Sequence, residues 1–387
     1  MTSGIPTKQW TLMGRGLSVL AFPAFAILGT LCSSTTDAGI PFHRRKLPGA
    51  EKGKAEIRWI APYVLATRYS VEGTAITTVR WFDDKGRVAR ELSGPGVDAR
   101  TDYLLERAAP ETVIHDVNGQ WKLALPKKPG PAGYITAVGE VFVHQFHPAE
   151  GQIAADVYVA GRRTGTVGPF VQYKGRGVRL ANDGSSAFLT WKGSKKETVQ
   201  VVVVGRDGNI RLRADCGEDA DDPYAVGGGK GVLVRVVGRE EPPVRFRYLH
   251  VGATWLSFDV GPNAYPMACT PQEGTVLFHT SIGEKEQFRL VDCRIGKAAW
   301  EIPSPVQYYD GVVSSALFVD DKILFVGRDF AAVDVRSGKL IARWQPNVPR
   351  SDRGWLARRK DHHFVVTREE FVEINLADIA AKSNGWN

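Results

Sequence analysis

The sequence is poor in the residues that announce chemistry. Its 387 residues hold four cysteines, Cys32, Cys216, Cys269 and Cys293, with no C-x-x-C, no Cys-Cys and no Cys/His spacing of a zinc site. That excludes a disulfide framework. If Cys32 is removed with the apolar N-terminal stretch in which it sits, three thiols remain, enough for one bridge, and they read as small buried hydrophobes. No G-x-S-x-G is present to carry an exposed nucleophile. Helical periodicity is nearly absent from Ile57 onward, which excludes an all-α or alternating α/β chain. No apolar run reaches the roughly 20 residues that carry a helix across a bilayer. The net charge of +8 comes from scattered bases, concentrated only at His43-Arg44-Arg45-Lys46 and Arg358-Arg359-Lys360. No nucleic-acid module accompanies them, so nucleic acid is not an expected partner.

The N-terminus has the order of an export signal. Lys8 and Arg15 precede the uncharged run LSVLAFPAFAILGTLC, residues 17–32, and the polar run SSTTDAG follows. Pro23 interrupts the run, and its 16 residues favour cleavage over a permanent anchor. Residues 1–38 are therefore expected to be a signal segment, cut after Ala26 or nearer Ala38, and any membrane attachment would be through this segment. Lipidation at Cys32 is disfavoured, because Leu31 stands where a bacterial lipoprotein signal has a small residue. Residues 39–56, GIPFHRRKLPGAEKGKAE, read as a tether.

What is abundant is glycine, 41 residues, and short runs of β-branched and aromatic residues. ITTVRWF (76–82), TVQVVVVG (198–205), VLVRVVG (232–238) and FVVT (364–367) read as strands. Turn signals such as Asp83-Asp84-Lys85-Gly86, Glu150-Gly151, Asp183-Gly184, Arg206-Asp207-Gly208-Asn209 and Asp320-Asp321 separate them. Many short strands at close spacing mean a sandwich, a barrel or a propeller.

A repeat decides among these. VDCRIGKAAWEI (291–302) and VDVRSGKLIARW (333–344) share V-D-x-R-x-G-K, with Asp292 and Asp334 42 residues apart. A period of 40 to 50 residues containing only strands is that of a propeller blade. VGRD recurs at 204–207 and 326–329, an echo close to three periods away. In the repeated motif the Asp can accept turn N–H groups, and the Gly supplies positive φ for a hairpin. Phe288, Leu290, Ala298 and Trp300 are expected to face a neighbouring blade. The chain then divides into units at about 57–96, 101–128, 133–173, 177–219, 222–263, 265–305 and 308–348, with 350–382 as a tail. The second unit is short for four strands. The fold expected is all-β, a single β-propeller over 57–382 with seven four-stranded antiparallel blades, or eight if the tail is a full one. The tail strands, 362–376, are expected to complete the first blade, and Leu376–Lys382 hints at helix.

VDCRIGKAAWEI resembles the repeat of the quinoprotein-type (PQQ-like) β-propellers, which carry an Asp, a Gly one turn later and a Trp eight residues after the Asp: here Asp292, Gly296 and Trp300. In the second copy Ala342 holds the Trp place and Trp344 comes two residues later. Upstream units are similar to a generic WD-repeat or PQQ-like pattern. In length and export signal the chain also resembles the propeller lipoproteins of bacterial outer-membrane assembly, which implies a non-catalytic scaffold. The quinoprotein dehydrogenases bind their cofactor through an acidic metal site and commonly a Cys-Cys pair. Without that pair, no cofactor is expected here.

The remaining candidates have bland readings beside them. Gly227-Gly228-Gly229-Lys230-Gly231 could cradle a phosphate, but Gly231 and a strand follow Lys230 where a phosphate loop has Ser or Thr and a helix. His144 and His147 fall on opposite faces of a strand, and His362-His363 are adjacent, so neither pair makes a metal site. Glu218-Asp219-Ala220-Asp221-Asp222 lacks the glycine and ligand spacing of a calcium loop. The ten tryptophans, among them Trp81, Trp191, Trp255, Trp300, Trp344 and Trp355, suit the wedges between blades better than a sugar-stacking surface. No catalytic, cofactor or metal residue is assigned. The function expected is an exported scaffold, periplasmic, cell-surface or secreted, that binds a protein or cell-envelope partner. The alternative is a sugar-binding or carbohydrate-active propeller with its site at the central channel.

Overall fold

The computed structural model describes residues 44–46, 56–83, 87–99, 103–108, 111–117, 122–125, 135–138, 140–173, 178–181, 183–192, 198–237, 243–270, 274–282, 285–306, 315–327, 329–344, 355–359, 362–366 and 370–374. The chain divides into two units, Met1–Ala38 and Gly39–Asn387, and every described residue belongs to the second. The signal segment expected over 1–38 and the helix hinted at 376–382 lie outside the described residues.

The described residues form 32 strands and no helix. They fall into eight successive four-stranded antiparallel meanders, the third and fourth of which are joined into one eight-stranded sheet where Val171 and Gln172 pair with Trp191 and Thr190. Seven span 56–94, 97–125, 135–172, 179–215, 220–261, 265–303 and 315–344. The eighth joins the strands of 355–374 to Arg44–Lys46. This is a β-propeller, and the meanders are called the first to eighth blades below. The short second unit does hold four strands, of 3, 6, 6 and 4 residues.

The tail does not complete the first blade, which already has four strands of its own. It forms a blade closed by Arg44–Lys46, from within the stretch read as a tether, with Arg45 opposite Phe371. N- and C-terminal strands thus meet, but one blade earlier than the sequence suggested.

Hydrophobic cores explain why the blades stay together. Among the described residues eight buried clusters are present, and each spans a junction between neighbours. Phe142 and Tyr158 of the third blade pack with Leu105 and Ile114 of the second. Val141 and Val143, next to Phe142 in sequence, pack instead with Phe188 and Val202 of the fourth. Alternation along a strand therefore points one set of side chains backward and the other forward. Central strands such as Val141–Phe146 are consequently buried on both faces. The last junction closes the ring, with Trp59 and Leu65 of the first blade against Phe364 and Phe371 of the eighth. Trp59 meets Phe371 edge to face at 5.0 Å.

The repeated motif is a turn that docks on the blade before it. Asp292 Oδ1 accepts the N–H of Arg294 at 3.0 Å, and Asp334 Oδ1 accepts the N–H of Ser337 at 2.7 Å. Gly296 and Gly338 have φ of 65° and 70°. A Cβ on Gly338 would lie 2.9 Å from the Trp300 ring, and one on Gly296 would lie 2.8 Å from Phe258. Phe288, Leu290 and Trp300 face the seventh blade, Phe288 meeting Phe325 at 4.6 Å, and Trp300 Nε1 donates to Val335 O at 2.7 Å. Ala298 does not join them. A bulge between Leu290 and Val291 shifts the register so that Leu290 faces Trp300 but Val291 faces Ala298, which leaves Ala298 and Ala299 exposed.

Candidate interaction surface

The residues nominated for chemistry are engaged in structural work. The glycine loop does bind an anion, but the anion belongs to the chain. Gly227, Gly228 and Gly229 all have positive φ, and the Gly228 N–H donates to Asp183 Oδ2 at 2.7 Å from the preceding blade. In the acidic run, Asp219 holds Arg247 in a two-pronged pair, both contacts 2.7 Å, and Asp222 pairs with Arg179 at 3.0 Å. His144 is buried against Phe146, while the His147 ring nitrogen bonds Gln152 O at 2.9 Å, so the two imidazoles do not converge. His363 is buried on the second strand of the eighth blade. Among the described residues no three His, Cys, Asp or Glu side chains come together as metal ligands.

Cys216, Cys269 and Cys293 are all free thiols. Burial pushes Cys216 and Cys269 up to about 12 and Cys293 well above its ordinary value, which suits inert packing groups.

The first strands of the fourth to sixth blades frame one small cavity. Arg179, Tyr224, Pro266, Met267 and Cys269 line a cavity of about 100 Å³ among the described residues. The Arg179 guanidinium lies 5.9 Å from the Tyr224 ring centre and is tied to Asp222. Ligand pockets run to roughly 300–1,000 Å³, so this cavity gives the sugar reading no support. The tryptophans point the same way. Trp59, Trp81 and Trp300 are buried in blade junctions, with Trp81 Nε1 donating to Val117 O of the second blade at 2.9 Å. The side chains of Trp344 and Trp355 lie outside the described residues.

Exposed apolar groups gather elsewhere. In a four-stranded meander the turns between strands one and two, and between strands three and four, emerge on the same face. Among the described residues, Val88, Ile210, Val251, Ile295 and Leu340 are all exposed, and each lies at the third-to-fourth turn of its blade. The last four belong to the consecutive fourth to seventh blades. Ile295 and Leu340 are the most open, at 60% and 53%. Three of these turns sit closely against the blade behind. Gly208, Gly296 and Gly338 each touch the outer strand of the preceding blade, at Gly165, Phe258 and Trp300.

The motif is thus more widespread than its two clear copies. Asp83 Oδ1 accepts the Arg87 N–H at 2.9 Å in the first blade, and Asp207 Oδ1 accepts the Asn209 N–H at 3.1 Å in the fourth. Each of these turns is paired with a register shift, as in the sixth and seventh blades. The signal that could have found them is Asp, then Gly within four residues, then an aliphatic residue opening a strand: Asp83 to Val88 and Asp207 to Ile210. The VGRD echo was a false lead. Asp207 lies between strands three and four, but Asp329 lies between strands two and three of the seventh blade. Asp329 instead sits fully buried and paired with Arg343.

No protein-family model matches the chain, and no curated protein matches it. Among solved structures it is similar to BamB from Moraxella catarrhalis, at 10% identity and a TM-score of 0.42, over 86% of this chain and 98% of that one. It is also similar to the Dos1 propeller, at 11% identity and a TM-score of 0.45, over 86% and 94%. Sqt1 from Saccharomyces cerevisiae is a third, at 10% identity and a TM-score of 0.43, over 85% and 98%. The β-propeller assignment rests on the sheets and junctions described above.

Proposed function

We propose that the chain is an exported scaffold whose braced turns dock a protein or cell-envelope partner, with no reaction of its own. The observation that carries this reading is the row of exposed aliphatic side chains at one turn position of four consecutive blades. Isolated apolar residues on a surface are ordinary, but their recurrence at a single structural position gives one face an apolar character. Because the turns of the fourth, sixth and seventh blades pack on the blade behind, little ordering entropy is lost when a partner binds them. Export is inferred from Lys8, Arg15 and the apolar run 17–32.

The test pairs envelope extracts with the purified protein and an Ile295→Glu/Leu340→Glu double variant. Proteins retained by the wild type are expected to be lost from the variant while both unfold at the same temperature. Equal retention by the two would overturn the surface. Turnover of a sugar, ester or phosphoester that a well-folded point variant abolishes would overturn the scaffold itself. N-terminal sequencing of the mature protein is expected to begin between residues 27 and 39, and a start at residue 1 or 2 would refute export with cleavage.

A further inference from the structure

A chain of three polar side chains ties the first blade to the second. Arg90, on the outer strand of the first blade, reaches His115 on the third strand of the second, its Nη2 donating to His115 Nδ1 at 2.9 Å. The other ring nitrogen, Nε2, meets Glu106 Oε2 at 2.8 Å. Strand alternation puts these groups in the junction, because Leu104, opposite His115 in the sheet, packs on the first blade while Leu105 and Ile114 pack on the third. Arg90 pairs in register with Trp81 and lies over its ring at 4.5 Å. Farther along the strands the same junction widens into a cavity lined by Arg68, Thr77 and Gly96.

Donor chemistry fixes the state of the ring. A guanidinium has donors only, so Nδ1 of His115 must hold a free lone pair, and the single proton of the neutral imidazole is on Nε2, donated to Glu106. Among the described residues, the side chains of Arg90, His115 and Glu106 have no other hydrogen-bond or ion-pair partner. The imidazole is buried, with 4% of its side chain exposed. A second proton can go only to Nδ1. It removes the acceptor that Arg90 uses and sets an imidazolium against a guanidinium, while the Glu106 carboxylate steadies the new charge from the other side. The other charged groups around the junction are engaged elsewhere or placed apart from the ring. Lys122, opposite His115 in the sheet, is exposed, and the adjacent Asp116 alternates to the other face. Asp83 pairs with Arg87 and Arg80 with Glu91, while Glu56, Arg68, Asp98 and Arg107 line the cavity.

We propose that Arg90, His115 and Glu106 form a pH-operated clasp on the junction of the first and second blades, closed while His115 is neutral and opened when its Nδ1 takes a proton. Opening frees the guanidinium and loosens the outer strand that carries it, Val88–Gly94. The stabilisation that Arg90 supplies is therefore present on the alkaline side of the transition and lost as pH falls. The inference stands on the junction alone and does not depend on the scaffold reading.

The experiment compares urea unfolding of the whole protein and of Arg90→Met at pH 8 and pH 5, the interval over which imidazoles change charge. Methionine keeps an unbranched stem over Trp81 and has no donor. At pH 8 Arg90→Met should lower the folding equilibrium about tenfold, the ordinary worth of one hydrogen bond, and at pH 5 less than about twofold. In a His115→Asn background, where an amide oxygen can accept from Arg90 but does not titrate, the loss should be the same at both pH values. Glu106→Gln keeps an acceptor for Nε2–H and removes the charge that steadies the imidazolium, so the transition should move to lower pH. Hydrogen exchange of the wild type, corrected for the intrinsic effect of pH, needs no variant to fold: Val88–Gly94 should lose about tenfold in protection between pH 8 and pH 5, and Lys297–Pro303 of the sixth blade should not. The clasp is refuted if Arg90→Met costs as much at pH 5 as at pH 8, if the pH dependence survives in His115→Asn, if Glu106→Gln leaves the transition in place, or if the two outer strands respond alike.

Discussion

The junction between the sixth and seventh blades and that between the first and second are built to opposite rules. In the former, Phe288 and Phe325 meet ring to ring, Trp300 closes the outer side, and the motif turn of the seventh blade presses on the indole. The latter is packed only in part. Trp81, Val79 and Leu104 fill it where Trp81 reaches Val117 O, but elsewhere Ala66, Ala75, Thr77, Gly96 and Ala99 leave a cavity of about 430 Å³. Glu56 and Arg68, directly opposite each other across neighbouring strands, stand on its first-blade wall. A ring can thus close with unequal wedges, and aromatic volume, rather than strand number, sets how tightly two blades are joined.

That contrast is broken most directly by truncation. Phe325→Ala should cost about 3–5 kcal/mol, because the removed ring leaves Phe288 beside a hole that the rigid sheets cannot collapse into. Val79→Ala, equally buried in the looser wedge, should cost only about 2 kcal/mol, since only two methyl groups are removed and the hole left is far smaller than that of a lost ring. Urea unfolding of both variants measures the difference. If Phe325→Ala proved the milder of the two, the tight wedge would not be the stronger joint.

The turn glycines sharpen the same comparison. Gly338→Ala must both adopt φ near 70° and push its methyl into Trp300, at a cost of about 2–3 kcal/mol. Gly73, in a first-blade turn, has φ 81° but nothing within 4 Å of the added carbon. Gly73→Ala should therefore show the backbone penalty alone, about 1 kcal/mol. Equal losses in thermal unfolding would mean that the contact with Trp300 contributes nothing.

Much of this was legible in the sequence because it depends on local patterns. The 42-residue recurrence and the turn signals gave unit limits close to the observed blades, since a period-2 run bounded by Asp and Gly has few other ways to fold. The closing strand was not legible. Arg44–Lys46 is three charged residues, and nothing in its own composition distinguishes an outer strand from a tether. Its identity depends on Glu370–Val372 being free to pair with it. The contact between the third and fourth blades was equally hidden. Phe170 and Arg213 belong to different blades, and a bulge changes which way Phe170 points, so no one-dimensional pattern could join them.

The motif carboxylates give the junctions on which their turns dock a pH dependence. The hydroxyl and N–H of Ser337 hold Asp334 below the usual carboxylate range, and Arg294 does the same for Asp292. A carboxylate depressed in the folded state stabilises at pH values above its unfolded value, near ~3.9, and that contribution disappears as pH falls through the folded value. Asp334→Ala should accordingly lose about 1 kcal/mol at pH 7, comparable to a lost helix cap. The gap from the wild type should persist to about pH 5 and shrink below about pH 4. A gap that stayed constant down to pH 2 would assign the cost to packing instead.

The smallest effect expected is also the most direct probe of the open wedge. Ala66 is buried on the first-blade wall of the cavity, while Ala331 is buried in the junction of the sixth and seventh blades. Replacing either with leucine adds the same three carbons. At Ala331 they have no space beside Ile323 and Phe325, and overpacking should cost about 1–3 kcal/mol as neighbouring side chains leave their preferred rotamers. At Ala66 they enter existing space, gaining contacts with Val97 and Ala99 while covering the polar groups of Glu56, Arg68 and Thr77. The two contributions oppose each other, so Ala66→Leu should shift stability by less than about 1 kcal/mol in either direction. A loss at Ala66 as large as that at Ala331 would show that the first junction closes on its own cavity in solution, and the distinction between the two wedges would fail.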